Sequence, residues 1–187
     1  MSAQLKPSYK VVKEKFEMVR QISREVAYEQ LSPVLKNRFG QAILRGNIGL
    51  DGFTFEAQRK LKSWERSDSR RVAWDWEEVA KSYRTHPKRF ELSIWFKDLE
   101  LSGASIGRPT WSCGKLRLDY IESHPMGTPL DGLVTDISVA AGVVYANAIG
   151  ATQLRIMNPV NTAVRDHYLS KPGFSFNERG NFCYRDL

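Results

Sequence analysis

Trp64, Arg66, Arg70, Arg71, Trp74 and Trp76 fall within thirteen residues of one another. Arginines beside tryptophans can contact phosphate while an indole stacks on a base. Arg66, Arg70, Arg71 and Trp74 are therefore candidates for nucleic-acid binding. The same residues also suit a helix anchored to a sheet by its indoles and coated by its guanidiniums. A second group is Asp119, Glu122 and His124, two carboxylates and an imidazole able to move protons near neutral pH. A third is the run from Asn161 through Tyr168 to Gly173-Phe174, with seven residues from Asn to Tyr. Asn161 suits a helix N-cap, and Tyr168 falls on the helix it would open. Other chemistries lack their residues. The two cysteines, Cys113 and Cys183, and three histidines are too far apart in sequence for a structural metal site. No glycine-framed serine or Ser-His-Asp order is present.

The chain has 187 residues, 42% of them apolar, enough for one domain with a packed core. It has no apolar run long enough to cross a bilayer, and Met1–Lys15 lacks a secretory h-region. Two cysteines without a pairing pattern fit a reducing, cytoplasmic setting. Charge is uneven. Residues 1–88 hold 18 Lys and Arg against 11 Asp and Glu, while residues 89–187 hold ten of each, so the whole formal excess of +7 lies in the first part. A basic region on a neutral one points to an acidic partner, nucleic acid or an acidic protein face. A helical surface rich in lysine gives the same excess.

The elements that must position these groups follow from periodicity. Val12, Phe16, Val19, Ile22 and Val26 recur at helical steps, so 9–35 reads as a helix starting at Pro7-Ser8 and broken at Ser32-Pro33. The four glycines from Gly40 to Gly52 read as a loop or a short broken element. Residues 53–64 and 75–83 read as two more helices, the second opened by Asp75, Glu77 and Glu78. From Phe90 the period becomes two. Strands are expected over 90–96, 99–106 and 115–122, the first two joined by a turn at Lys97-Asp98. Alternation along 115–122 puts Asp119 and Glu122 on opposite faces. Thr128 as N-cap and Pro129 at the first helical position predict a helix over 130–149, closed by Gly150. A buried strand, 153–157, precedes the Asn161 segment, and Phe182-Cys-Tyr184 forms a last one. The division expected is a mostly helical basic region, 1–88, and an α/β core, 89–187.

The order over 90–187 resembles the GNAT acetyltransferase superfamily: a strand pair, a central strand, a loop and helix, a strand, an Asn/Tyr helix, and Gly-Phe entering a last strand. The resemblance implies a mixed central sheet flanked by helices, here with a helical N-terminal extension. It implies acetyl-CoA, or another acyl-CoA, in a V-shaped gap between the two central strands, and an amine as acceptor. It assigns Tyr168 as the acid at the leaving thiolate and Asn161 as a CoA contact. Asp119, Glu122 and His124 are then candidates for the base. The family loop runs Arg/Gln-x-x-Gly-x-Gly/Ala. This chain has Met126, Gly127, Thr128 and Gly132 in that region, without the Arg, and with Pro129 and Asp131 added. Loop amides and a helix N-terminus bind pyrophosphate without the Arg. A GNAT-shaped module without catalysis, binding nucleic acid or protein through its basic half, is the alternative.

Overall fold

The computed structural model describes residues 8–187. Its first element, α1 (Tyr9–Gln30), is capped by the Ser8 hydroxyl, which accepts from Val11 N–H. Pro7 lies outside the described residues. The buried stripe of α1 differs from the expected one. Arg20, Ser23 and Ala27 are its buried residues, whereas Ile22 and Val26 face solvent. Small Ser23 and Ala27 suit a close helix contact, and α1 packs on a later helix, α4 (Val134–Ala148). The two Nη groups of the buried Arg20 guanidinium are held by the carbonyls of Pro87 (2.8 Å) and Arg89 (3.1 Å) and by Glu17, while its Nε has no partner among the described residues. A polar residue with a strong set of acceptors has displaced the apolar pattern from the interface.

The helix ends at Gln30 rather than 35, and β1 (Val34–Lys36) pairs as a hairpin with β2 (Ala42–Leu44); the stretch from Gly40 to Gly52, expected as a loop, holds β2, a short 3-10 turn and β3 (Ile48–Asp51). β3 hydrogen-bonds to β4 (Phe90–Phe96). Residues on both sides of position 88 therefore share one sheet. Between β3 and β4 lie α2 (Phe55–Trp64), capped by Thr54, and α3 (Trp76–Tyr83), capped by Asp75 on two amides. Lys97 and Asp98, both with positive φ, turn β4 into β5 (Glu100–Pro109). β6 (Lys115–Ser123), β7 (Gln153–Met157), β8 (Ser175–Asn177) and β9 (Phe182–Asp186) complete a seven-stranded sheet, ordered β3-β4-β5-β6-β7-β9-β8. α5 (Thr162–Leu169) connects β7 to β8.

Two apolar layers cover the sheet. One contains Ala27, Leu31, Phe90, Leu92, Leu116, Leu118, Val134, Ile137, Tyr145, Leu154 and Tyr168. The other is built on Ala57, Leu61, Trp64, Trp76, Tyr83 and Ile106. No described helix is long and apolar enough to cross a membrane.

Three details place the functional region. β6 and β7 form a parallel pair that ends at Leu118↔Ile156, while β6 continues to Ser123 on its pairing with β5. The sheet therefore opens along Asp119–Ser123. A bulge begins that opening: Ile106 faces Tyr120 and Gly107 faces Leu118, so Asp119 is the extra residue. A Cβ at Gly107 would collide with the Arg117 carbonyl, so the bulge requires glycine there. Finally, α4 starts four residues later than predicted. Its N-cap is Leu133, without a side-chain cap, because Thr128–Leu133 closes its own turns.

Candidate functional site

The opened end of β6 leads through His124 into the 124–133 loop and the first turn of α4. Gly127 and Gly132 both adopt positive φ, +79° and +85°, and let the loop reverse twice. Within it, Gly127 N–H donates to His124 O (3.0 Å), Asp131 N–H to Thr128 O (3.0 Å) and Leu133 N–H to Leu130 O (3.0 Å). Leu130 N–H donates to the Thr128 hydroxyl and Thr128 N–H to Asp131 Oδ1 (3.1 Å). The amides of Val134, Thr135 and Asp136, the first turn of α4, have no acceptor among the described residues. Unpaired first-turn amides are the anion-binding end of a helix.

Tyr168, on α5, is buried in the same apolar layer as Leu118, Val134 and Ile156. Lys171, at the foot of α5, pairs with Asp136 on the first turn of α4 at 2.8 Å. That contact ties the end of α5 to the first turn of α4. Tyr168 is 8% exposed, and its hydroxyl makes no hydrogen bond among the described residues. Burial first, and then Cys183, pushes its hydroxyl up to about 12, so it holds its proton throughout the neutral range. Asn161 caps α5, accepting Val164 N–H at 2.9 Å. Met126 is exposed at the tip of the loop.

The proposed bases are differently placed. The bulge at Asp119 reverses the alternation, so Asp119 and Glu122 face the same layer rather than opposite ones. Glu122 is buried and receives three bonds: Arg70 Nε (2.8 Å) and Nη2 (3.0 Å) as a fork, and Trp76 Nε1 (2.6 Å). Asp119 accepts from Tyr83 Oη (2.6 Å) and from Arg117. Burial, and then Asp119, raises the Tyr83 phenol. Each carboxylate is engaged by an arginine and an aromatic N–H or O–H. His124 sits where β6 ends, its ring edge-on to Trp64 at 5.2 Å. Its Nδ1 accepts Met126 N–H at 3.2 Å, which puts the proton of the neutral ring on Nε2. Burial lowers its pKa, so the neutral form prevails at pH 7.

No protein-family model matches the chain, and no curated protein matches it by sequence. Solved structures do match by shape. Ard1 from Thermoplasma volcanium superposes with a TM-score of 0.59 at 10% identity, over 75% of this chain and 98% of that one. The ribosomal-protein-S18-alanine N-acetyltransferase from Escherichia coli gives 0.55 at 13% identity, over 75% and 94%. Naa50 from Arabidopsis thaliana, in complex with the bisubstrate analogue CoA-Ac-MVNAL, gives 0.50 at 13% identity, over 74% and 95%. The chain has the GNAT fold.

Within that fold, the opened strands are β6 and β7, and the loop and helix beside them are 124–133 and α4. The resemblance read from residues 90–187 thus extends further back, because β3, α2 and α3 belong to the same sheet and its layers. The arginine–tryptophan cluster is chiefly internal. Trp64 and Trp76 are buried, Arg70 is spent on Glu122, and Trp74 lies edge-on to Tyr120 at 5.1 Å. Of the four nucleic-acid candidates, only Arg66 and Arg71 are exposed. Three features escaped the sequence reading: the bulge at Asp119, the Lys171–Asp136 pair, and the β1–β2 hairpin, whose tip rests on the loop. The glycine at 107 was the visible signal for the first. Nothing local marks the other two, since each joins segments distant in sequence.

Proposed function

We propose that this protein is a GNAT-type N-acyltransferase that takes its acyl group from acetyl-CoA or a related acyl-CoA. The observation that carries the reading is the opening between β6 and β7, with the unpaired amides of Val134–Asp136 following it in the chain and the protonated Tyr168 of α5 in the same apolar layer as Leu118, Val134 and Ile156. These residues fit an acyl-CoA. The free edge of β6 can pair with an amide-bearing chain, the α4 amides can hold phosphate oxygens, and Gly127 and Gly132 keep the loop backbone accessible. Against the fit stands the Asp131 carboxylate, which already occupies the Thr128 amide.

Acyl-CoA supplies a thioester carbon activated toward amines. Tyr168 holds a proton on Oη for the departing sulfur. The amine must arrive unprotonated, and His124 is the candidate whose titrating ring is not committed to a charged partner. Asp119 and Glu122 act on position instead, fixing α3 and the 65–75 segment against β6. For the acceptor, the basic excess of residues 1–88 favours an amine carried on an anionic molecule. Lys60, half-buried on α2, and Arg66, exposed just beyond it, make no ion pair among the described residues, and the surface groove of about 940 Å3 they line extends to His124.

The test is thiol release from acetyl-CoA with a panel of amines, some bearing carboxylate or phosphate groups. Amine-dependent release, greatest with the anionic amines and reduced in Tyr168→Phe, is expected. Absence of release with every amine, from protein that binds acetyl-CoA, would contradict catalysis.

A further inference from the structure

We propose that Arg38, carried on the β1–β2 hairpin, is the cation of the phosphate-binding loop, and that Asp131 occupies its guanidinium until a phosphate displaces it. The inference rests on the acyl-CoA reading above. No Arg or Lys occurs from His124 to Val134, yet a guanidinium is present at the loop. Arg38 Nη2 lies 3.0 Å from Asp131 Oδ2. The backbone places it there: Arg38 N–H donates to Asp131 O at 2.8 Å, and Asn37 Nδ2 to Pro129 O at 3.1 Å.

The hairpin tip is built to stay in position. Asn37 Oδ1 accepts the N–H groups of Phe39 and Gln41, both at 3.0 Å, and its amide reaches Gln41 Oε1 at 2.8 Å. Gly132 admits the contact, since a Cβ there would stand 2.9 Å from Arg38 Cβ. The backbone is thus fixed while the Arg38 side chain is 56% exposed and able to turn.

Asp131 behaves as an internal anion. Its Oδ1 takes the Thr128 amide and its Oδ2 lies over Gly127, 2.9 Å from where a Cβ would be. Its side chain is 12% exposed. Three to five residues further along the chain, the Val134–Asp136 amides have no acceptor among the described residues. A phosphate on those amides would repel the Asp131 carboxylate and attract the Arg38 fork, which matches phosphate geometry in a bidentate manner. Arg38 turning from carboxylate to phosphate removes the repulsion and supplies the charge that the loop sequence lacks. The two residues then have opposite effects on the same ligand.

The experiment is calorimetric titration of wild type, Arg38→Ala and Asp131→Asn with acetyl-CoA, 3′-dephospho-CoA and acetyl-pantetheine, with thermal unfolding of each variant recorded beside it. Arg38→Ala is expected to weaken acetyl-CoA binding roughly tenfold or more, the scale of one hydrogen bond to a charged group. Asp131→Asn is expected to tighten it. Retention of the Arg38 effect with 3′-dephospho-CoA places it at the pyrophosphate, and its loss there places it at the 3′-phosphate; either supports the proposal. Acetyl-pantetheine, which has no phosphate, should be insensitive to Arg38. An equal penalty on acetyl-pantetheine would make Arg38 merely structural and overturn the proposal. Wild-type binding left unchanged by both substitutions would overturn it while leaving the acyl-CoA reading intact. No binding of acetyl-CoA by wild type or Asp131→Asn would overturn both.

Discussion

Glu122 shows how partners decide what a carboxylate can do. It lies on the strand that borders the opening, where a base is wanted, yet both its oxygens are engaged by Arg70 and Trp76. Glu122→Gln should leave a guanidinium that is 8% exposed without its counter-charge. A destabilisation of about 3–5 kcal/mol is expected in urea unfolding, with turnover per folded molecule little changed. Large loss of turnover at unchanged stability would instead restore it as the base. Tyr168 is the opposite case, a buried hydroxyl with no partner. Tyr168→Phe should lower kcat about a hundredfold while leaving KM for acetyl-CoA nearly unchanged. Because its pKa is pushed up to about 12, no alkaline fall in rate below that range should trace to this residue. His124 is held below its ordinary value by burial. If its neutral ring is required, kcat/KM should rise with pH to a plateau whose midpoint lies below the ordinary histidine range. His124→Asn should abolish that acid limb.

At the scale of elements, helix and strand identities were readable because their signals are local. The Asp75 cap, the Lys97-Asp98 turn and the Asn161 cap all occur as their residue types predict. The exceptions arise where a distant partner overrides the local pattern. Ile22 and Val26 fit the apolar period of α1, but Arg20 found two carbonyls beyond α3 and turned the helix. Thr128-Pro129 looks like a helix start, but the Thr128 amide is taken by Asp131 and the turn closes early. The bulge in β6 is the most consequential, since one extra residue moves Asp119 and Glu122 onto a common face. Gly107→Ala tests it. The added methyl meets the Arg117 carbonyl, so a loss of about 1–3 kcal/mol is expected from overpacking, measured as a lower thermal midpoint.

Across the whole molecule, the N-terminal region is part of the working structure rather than a separate body. α1 covers α4, β3 extends the sheet, and the hairpin rests on the loop. The basic charge of 1–88 was legible from composition, but its arrangement was not, because pairing between distant segments leaves no periodic trace. A protein beginning at Ile48 should lose the cover of Ala27 and Leu31 over the core. A fall of roughly 10 °C or more in thermal midpoint is expected.

On the reading proposed above, the opening beside α4 receives an acyl-CoA. The first measurement is isothermal titration of the full chain with acetyl-CoA, with thermal unfolding recorded at saturating ligand. Saturable one-to-one binding with a Kd on the order of micromolar is predicted, together with a raised unfolding temperature. No heat and no thermal shift with either acetyl-CoA or free CoA would rule out an acyl-CoA site in this opening.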